Sequence, residues 1–249
     1  MSGRDSRGCL VRNRERMDRD VKGLSRRHLS AGFRAHHDAI IPELEQLVAQ
    51  EVIDLGAGDS PFADIIASRA QRYDTLDVTT EKQPVTYMSD IQHMPEVPSE
   101  RYDVAVCFQV LEHVPNPGAA LRESHRILRP GGHLILSVPH LSRLHDEPHD
   151  YYRYTNHGLT YLAKQAGFCV EKVIPYGSVF SFLGHQVSTL LLTLCWGIPG
   201  LRELVRLLNR MVLVWPCALL DRIGPLARLA PLGYVAVLRV PKRSIESED

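Results

Sequence analysis

The middle of the chain alternates between short apolar runs and segments with helical periodicity. The apolar runs are typical of buried parallel strands, and they cover 51–55, 73–78, 85–88, 102–109, 133–138, 168–174 and 234–240. Helices are predicted over 41–51, 60–70, 117–128 and 155–166. Strands that alternate with helices predict an α/β fold, here a doubly wound, seven-stranded, mainly parallel sheet.

A long apolar insertion separates the last two predicted strands. Residues 173–201 contain no Asp, Glu, Lys or Arg, and a second apolar run over 211–220 follows Arg202, Arg206 and Arg210. If both flanking strands belong to one sheet, the insertion returns to the side it left, which excludes a single membrane crossing. A re-entrant hairpin, interfacial helices through 178–220, a homodimer surface and a helical subdomain packed on the core all remain open.

These patterns divide the chain into four regions. Residues 1–35 form a basic arm that is either mobile or a weak surface helix, and 36–174 form the core. The apolar helical insertion covers 175–233, and 234–249 supply the last strand and a polar tail.

Composition excludes several classes of protein. Lys plus Arg and Asp plus Glu are equal at 29 each, so no overall charge indicates a nucleic-acid partner. The five cysteines include no C-x-x-C pair, so neither a zinc site nor a disulfide framework is predicted. The first thirty residues lack the apolar core of a secretory signal. We expect a cytoplasmic protein, with the cytoplasmic face of the membrane as the alternative.

The clearest ligand signal is the turn after the first predicted strand. Asp54-Leu55-Gly56-Ala57-Gly58 ends a strand on two glycines, which permit a tight turn and close approach of a ligand to the backbone. Asp77 ends the next strand, where a carboxylate can accept both hydroxyls of a ribose. The alternative for Asp77 is a simple turn cap.

The residues after this turn narrow the ligand. A pyrophosphate-binding loop has a third glycine and no acid, but this chain has Asp59 and then Ser60. A carboxylate disfavours pyrophosphate and tolerates a cationic ligand. A nicotinamide oxidoreductase is therefore disfavoured.

Several motifs in order resemble class I S-adenosylmethionine-dependent methyltransferases of the small-molecule, type 11-like kind. They are Val52–Gly58, Tyr102–Val104, Val110–Val114, Leu128–Gly132 and Leu134–Pro139. The resemblance covers roughly residues 50–175 and implies the Rossmann-like methyltransferase fold and S-adenosyl-L-methionine as cofactor. Ser60 departs from the pattern, since many members carry a third glycine there.

The resemblance also implies which residues bind the cofactor. Asp54, Gly56, Ala57 and Gly58 would lie beside its methionine part, and Asp77 would bind the ribose. Asp90 and Ile91 would flank the adenine, and Gln109 would lie beside the cofactor at the end of the fourth strand.

Candidate catalytic residues lie on two loops at the strand ends. Methyl transfer needs positioning and removal of a proton from the acceptor, but neither a metal nor a covalent intermediate. His113 follows the fourth strand, and the segment 139–155 carries His145, His149, Tyr151 and Tyr152. No metal is expected, because Pro148 breaks the helix that would align His145 with His149. The alternative is a surface loop fixed by its own aromatic residues.

The sequence thus predicts an enzyme that methylates a small or lipid-linked acceptor, with oxygen favoured as the methylated atom. The run His149–Thr155 resembles methyltransferases of cell-surface glycan and lipid-linked pathways. The alternative is a methyltransferase-like binding or scaffold protein without turnover.

Overall fold

The computed structural model describes residues 8–223 and 229–243, without the side chains of Glu15 and Asp18. These residues group into two compact units. The first unit comprises the chain up to Asp38 together with 177–230, and the second comprises 39–176 and the chain from Pro231 onward.

The second unit is built on a seven-stranded sheet. Its strands are β1 Ala49–Leu55, β2 Ala70–Asp77, β3 Tyr87–Met88, β4 Tyr102–Phe108, β5 Leu128–Pro139, β6 Cys169–Tyr176 and β7 Gly233–Arg239. The order across the sheet is β3-β2-β1-β4-β5-β7-β6, with β7 antiparallel to both of its neighbours. This confirms the predicted seven-stranded, mainly parallel fold.

Three helices connect strands of this sheet: α3 Ala63–Ala67, α4 Pro117–Ile127 and α5 Asn156–Gln165. Helix α4 begins as the sequence indicates, because the Asn116 side chain accepts a hydrogen bond from the Ala119 N–H at 3.1 Å. Thr155 caps α5 in the same way through Gly158 at 3.0 Å. Both helices and the central strands contribute to one large apolar core.

The first unit is helical. It contains α1 Cys9–Asp20, α6 Val179–Cys195, α7 Leu201–Asn209, a π-helical turn Arg210–Val214 and α8 Trp215–Leu220. A 3₁₀ turn covers Gly23–His28, and most of α2 Ala31–Glu45 also belongs here. In α1 the side chain of Met17 is buried in a small apolar cluster with Leu192 and Trp196. Residues 1–7 of the predicted arm lie outside the described residues.

Two predicted helices differ from the structure. The helix expected over 41–51 ends at Glu45, because 49–51 already pair with β2 as part of β1. The helix expected over 60–70 is reduced to Ala63–Ala67, since Ser60 adopts a left-handed backbone with φ of 43° and Ala70 begins β2. Within the described residues, no helix combines the length and the apolar character needed to cross a bilayer.

Candidate active site

The strand order reverses between β1 and β4, so the carboxyl ends of these two strands lie side by side. In open α/β sheets this is where ligands bind. β1 runs into Gly56, with φ of 72°, and β4 runs into Gln109 and Val110. A Cβ atom on Gly56 would lie 2.5 Å from a methyl carbon of Val110, so only glycine fits there.

The glycine turn is held against the end of β2. The backbone N–H groups of Gly56 and Ala57 both donate to the Leu76 carbonyl, at 2.8 and 3.0 Å. The Gly58 N–H donates to Asp77 Oδ2 at 2.8 Å, while Asp77 Oδ1 accepts from Thr79 N–H at 3.2 Å. Asp77 therefore caps the glycine turn, as in the alternative to a ribose ligand, and its binding to a ribose stays a prediction.

Asp54 lies under the turn rather than on its surface. Its carboxylate is buried and accepts hydrogen bonds from the Tyr73 hydroxyl at 2.8 Å and the Ser60 hydroxyl at 3.4 Å. Burial, reinforced by the charge of Asp77, raises the pKa of Asp54 to about 6. The Ser60 hydroxyl is thus tied to Asp54, and it also accepts a hydrogen bond from the Gln83 side-chain amide at 2.6 Å.

Asp90 and Ile91 follow β3, at the same edge of the sheet. The Asp90 carboxylate is exposed and accepts from the Gln92 N–H at 2.8 Å, which fixes a tight turn. Ile91 is buried in the main core. The hydrogen bond from Gln92 therefore fixes the backbone of this turn, and the Asp90 side chain lies outside the core.

Gln109 adopts a left-handed backbone with φ of 55°, which is uncommon for a residue with a side chain. Its amide nitrogen donates to the Ser137 hydroxyl at 3.3 Å and the Tyr176 hydroxyl at 3.4 Å. The side chain thus spans the ends of β4, β5 and β6. Strained backbone of this kind concentrates at binding sites.

The charges at this edge suit S-adenosylmethionine. Two carboxylates, Asp54 and Asp77, lie at the glycine turn, and negative charge there is compatible with a cationic sulfonium and an ammonium group. The missing Cβ atom of Gly56 makes room for Val110, and the position of a Cβ atom on Gly58 lies 3.6 Å from Nζ of Lys82.

Beyond β4 lies a short 3₁₀ turn, Leu111–His113, with a buried acid at its centre. The Glu112 side chain has no exposed surface, and neither carboxyl oxygen has a hydrogen-bond partner. Burial raises the pKa of Glu112 to about 8. An unsatisfied buried carboxyl costs stability, so its presence is typical of a functional group.

Two imidazoles flank this carboxyl. Nε2 of His113 and Nε2 of His145 each lie 3.8 Å from Glu112 Oε1, and the two rings meet edge to face with centroids 4.8 Å apart. Burial lowers the pKa of His145. The ligand atoms of these three residues lie within 4.8 Å of one another, a spacing compatible with a metal ion as well as with proton exchange.

The loop after β5 is anchored to the turn that carries Glu112. The N–H groups of Tyr151 and Tyr152 donate to the Glu112 carbonyl at 2.8 and 3.2 Å. Asp150 binds the Arg153 guanidinium through both oxygens, at 2.6 and 2.7 Å, and this ion pair holds the pKa of Asp150 well below its usual range. These hydrogen bonds therefore fix the conformation of the loop over residues 143–153.

The other predicted residues of the loop lie nearer solvent. His149 and Tyr151 are exposed, and His149 Nδ1 lies 3.0 Å from the Tyr151 hydroxyl. Tyr152 is also exposed and donates to the Pro115 carbonyl at 2.9 Å. The buried Glu112 and the half-buried His145 thus lie on one side of the loop's polar residues, and His149 and Tyr151 form an exposed pair.

Sequence reasoning missed three participants. Glu112 is absent from the residues that the sequence singles out, although an acid beside His113 shortly after a buried strand is a usable signal. Tyr73 and Tyr176 approach Asp54 and Gln109 from other strands. No local pattern identifies such partners, because the pairing of strands brings them together.

A family model for the methyltransferase domain matches residues 13–173. The fold is that of an α/β protein with a glycine turn at the switch in strand order. The chain belongs to this methyltransferase-domain family.

Curated relatives match the central part of the chain. A ubiquinone biosynthesis O-methyltransferase from Proteus mirabilis (strain HI4320) is 32% identical over 106 residues, which cover 37% of this chain and 43% of that protein. The protein of the same name from Pseudomonas aeruginosa (strain UCBPP-PA14) is 27% identical over 111 residues, covering 39% and 48%. The matched part is less than half the length of either relative.

Solved structures share the fold over most of the chain. The N-methyltransferase NodS from Bradyrhizobium japonicum WM9, in complex with S-adenosyl-L-homocysteine, aligns with a TM-score of 0.52 at 13% identity, covering 86% of this chain and 89% of NodS. An S-adenosylmethionine-dependent methyltransferase from Mesorhizobium loti gives 0.52 at 17% identity, covering 80% and 95%. The [4+2]-cyclase SpnF gives 0.55 at 17% identity, covering 82% and 79%. At these identities the likeness shows the fold alone.

Proposed function

We propose that this enzyme methylates a hydroxyl oxygen of a small or lipid-linked acceptor, with the cluster of Glu112, His113 and His145 receiving the hydroxyl proton. The observation that carries the proposal is the Glu112 carboxyl, which is fully buried, lacks hydrogen-bond partners and lies between two imidazoles. An arrangement of this kind exchanges protons near neutral pH.

The tautomers support a basic role for both imidazoles. His113 Nδ1 lies 2.7 Å from the His149 carbonyl, and His145 Nδ1 lies 3.3 Å from the Arg143 carbonyl. A carbonyl only accepts, so each neutral ring carries its proton on Nδ1 and leaves Nε2 with a lone pair. Both Nε2 atoms face Glu112.

His145 is the stronger candidate for the base. Its lowered pKa keeps the ring neutral at physiological pH, ready to take a proton. S-adenosylmethionine supplies the methyl group: the acceptor oxygen bonds to the methyl carbon as the carbon–sulfur bond breaks and its electron pair passes to sulfur. The hydroxyl proton goes to His145 Nε2, which lies 3.8 Å from Oε1 of the Glu112 carboxyl.

The exposed pair, His149 and Tyr151, is proposed to orient the acceptor. Their side chains contact each other at 3.0 Å and offer a donor and an acceptor to an incoming hydroxyl. For the cofactor, we propose that Asp54, Gly56, Ala57 and Gly58 bind its methionine part and Asp77 its ribose. Asp90 and Ile91 would then flank the adenine, with Gln109 at the sulfonium side.

Oxygen is favoured as the methylated atom because the curated relatives are named O-methyltransferases. Their names place those proteins in ubiquinone biosynthesis. The likeness of His149–Thr155 to cell-surface glycan and lipid-linked enzymes gives a second class of acceptor to test.

The test is transfer of a labelled methyl group. Purified protein is incubated with methyl-labelled S-adenosylmethionine and with separate lipid and water-soluble extracts, and labelled products are identified by mass spectrometry. We expect an O-methylated product whose formation falls by about a hundredfold or more in His145→Ala. His149→Ala should mainly raise the KM for the acceptor.

Two outcomes would contradict the proposal. Label on nitrogen or carbon would exclude a hydroxyl acceptor, and full activity of His145→Ala would remove the proposed base. Cofactor binding is measured by calorimetry in both variants, so that a loss of turnover is not confused with a loss of S-adenosylmethionine.

A further inference from the structure

Helix α6 buries its small and polar side chains and exposes its large aliphatic ones, which is the opposite of the arrangement in a helix of a water-soluble protein. Its buried positions are mostly small or polar: Ser181, Gly184, Ser188 and Leu192. Its exposed large side chains are all aliphatic: Val179, Leu183, Val187, Leu190, Leu191 and Leu194. Small residues at helix contacts with leucines facing outward are typical of helices that meet lipid.

The small and polar face is the one that packs. A Cβ atom on Gly184 would lie 2.6 Å from Cys217 Sγ and 3.2 Å from the Ala31 Cβ, so α2, α6 and α8 approach closely at this glycine. Ser178 and Ser181 both hydrogen-bond to the Asp221 carboxylate after α8. The aliphatic face is therefore the outer one.

The aliphatic surface continues along the next two helices. Exposed side chains recur on one side of α7, the π-helical turn and α8, at Leu201, Leu204, Leu208, Met211, Trp215 and Leu219. Asn209, in contrast, is buried and donates to the Leu29 carbonyl at 2.9 Å. Within 8–38 and 177–223, 18 large hydrophobic side chains are exposed and only 7 hydrophobic residues are buried.

Charge distinguishes the two units as well. The described residues 8–38 and 177–223 carry 12 Lys and Arg against 6 Asp and Glu, a net charge of +6. The described residues 39–176 and 231–243 carry 14 Lys and Arg against 19 Asp and Glu, a net charge of −5. The helical unit is thus the basic one, although the whole chain is neutral.

One arginine and one tryptophan lie together at the aliphatic surface: the Arg210 guanidinium lies 5.5 Å from the centre of the exposed Trp215 ring. The Arg202 and Arg206 guanidinium groups lie 5.4 and 5.9 Å from the centre of the Trp196 ring, which is buried. Tryptophan and arginine are enriched at the headgroup level of membranes, where one end of the side chain is apolar and the other is wet.

We infer that the aliphatic surface of α6, α7 and α8 binds the interface of a membrane containing anionic lipids. The helices lie in the plane of that interface, consistent with the lack of a described helix able to span a bilayer. The leucines enter the acyl boundary, and the excess positive charge meets the anionic headgroups. The inference concerns the helical unit alone and does not depend on the proposed acceptor.

Charge favours lipid over a second copy of the chain. Two such surfaces facing each other would bring together two units of net charge +6, and like charges oppose that association. An anionic membrane meets both the aliphatic and the basic character of the surface.

Vesicle flotation tests the inference with the full chain. Vesicles of phosphatidylcholine alone are compared with equimolar mixtures of phosphatidylcholine and phosphatidylglycerol. We expect flotation with the mixture, weakened by high salt, and little with phosphatidylcholine alone. Leu204→Glu combined with Leu208→Glu should weaken binding to the mixture by at least about tenfold.

Tyr161→Glu is the matched control. Tyr161 lies on α5 of the other unit and is 64% exposed. The Tyr161→Glu variant should bind vesicles as the unaltered protein does. Calorimetry with S-adenosylmethionine confirms that each variant folds. Absence of flotation by the unaltered protein would overturn the inference. The inference would also be overturned if the unaltered protein sediments as a dimer, the double leucine variant sediments as a monomer, and both bind vesicles equally.

Discussion

His113 Nδ1 lies 2.7 Å from the carbonyl oxygen of His149, and this contact joins the turn after β4 to the loop after β5. The same turn receives the N–H groups of Tyr151 and Tyr152 on the Glu112 carbonyl. The hydroxyl groups of Tyr152 and Tyr154 also donate to the carbonyls of Pro115 and Leu111, so both backbone and side-chain hydrogen bonds hold the loop at the end of β4.

We predict that His113→Ala loosens this loop. The substitution removes one hydrogen bond, with a net effect of about 1 kcal/mol on loop closure. Amide hydrogen exchange at Tyr151 and Tyr152 should be about fivefold faster, and the acceptor KM should rise. His113→Asn, whose amide can donate where Nδ1 does, should restore protection. Unchanged exchange in His113→Ala would show that the contact does not hold the loop.

Glu112 should make the protein less stable as pH rises. In the unfolded chain its pKa is near 4.5, whereas in the folded chain it is about 8, so between these values the unfolded state binds fewer protons. Stability is therefore fully present below about pH 4.5 and is lost progressively towards pH 8. The shift corresponds to several kcal/mol, at about 1.4 kcal/mol per pKa unit.

Glu112→Gln tests this pH dependence. The neutral amide cannot ionise, so the variant should melt at a higher temperature than the unaltered protein at pH 8, with the difference shrinking towards pH 5. Glu147→Gln, at an exposed position of the neighbouring loop, is the control and should leave the profile unchanged. Parallel profiles for Glu112→Gln and the unaltered protein would mean that the buried carboxyl does not titrate as described.

Asp77→Ala should weaken S-adenosylmethionine binding by about ten- to a hundredfold. The substitution removes a carboxylate that can bind the ribose and leaves the Gly58 N–H without its 2.8 Å acceptor. Calorimetric titration measures the Kd, with Asp64→Ala on α3 as an exposed carboxylate control. Equal affinity in both variants would exclude Asp77 from the cofactor site.

Gln109→Gly should separate stability from binding. Glycine relieves the left-handed backbone by about 1 kcal/mol, while the contacts to Ser137 and Tyr176 are lost. We expect an unchanged or higher melting temperature together with weaker cofactor binding. A variant that is less stable but binds normally would indicate that Gln109 is a structural residue only.

The centre of the sheet could be predicted because its strands β1, β4, β5 and β7 are buried over most of their length. The apolar run of Val52, Ile53 and Leu55 is too short for a helix before Gly56 ends it, so the sequence predicts a buried strand there. The helix after the turn was predicted too long, because Ser60-Pro61 is a typical helix start. In the structure, Ser60 instead turns towards Asp54 and Gln83. A long-range side-chain contact of this kind overrides a local signal.

The site residues that lie directly at strand ends could be predicted from the sequence. Those whose properties depend on burial could not. Gly56, Gly58 and Asp77 meet because adjacent parallel strands end together. His145 is among the candidate residues that the sequence indicates, and the structure places Glu112 and His113 beside it. The raised pKa of the Glu112 carboxyl follows from burial, which the sequence alone does not show.

The placement of β7 has a consequence for synthesis of the chain. β7 pairs with β5 and β6, yet the whole of residues 177–230 is translated between β6 and β7. Until β7 emerges, one edge of β5 and one of β6 have unpaired N–H and C=O groups, and exposed edges promote aggregation. The sheet can be completed only after the helical segment has left the ribosome. If that segment binds a membrane as soon as it is translated, the nascent chain is bound there before β7 is available to pair with β5 and β6.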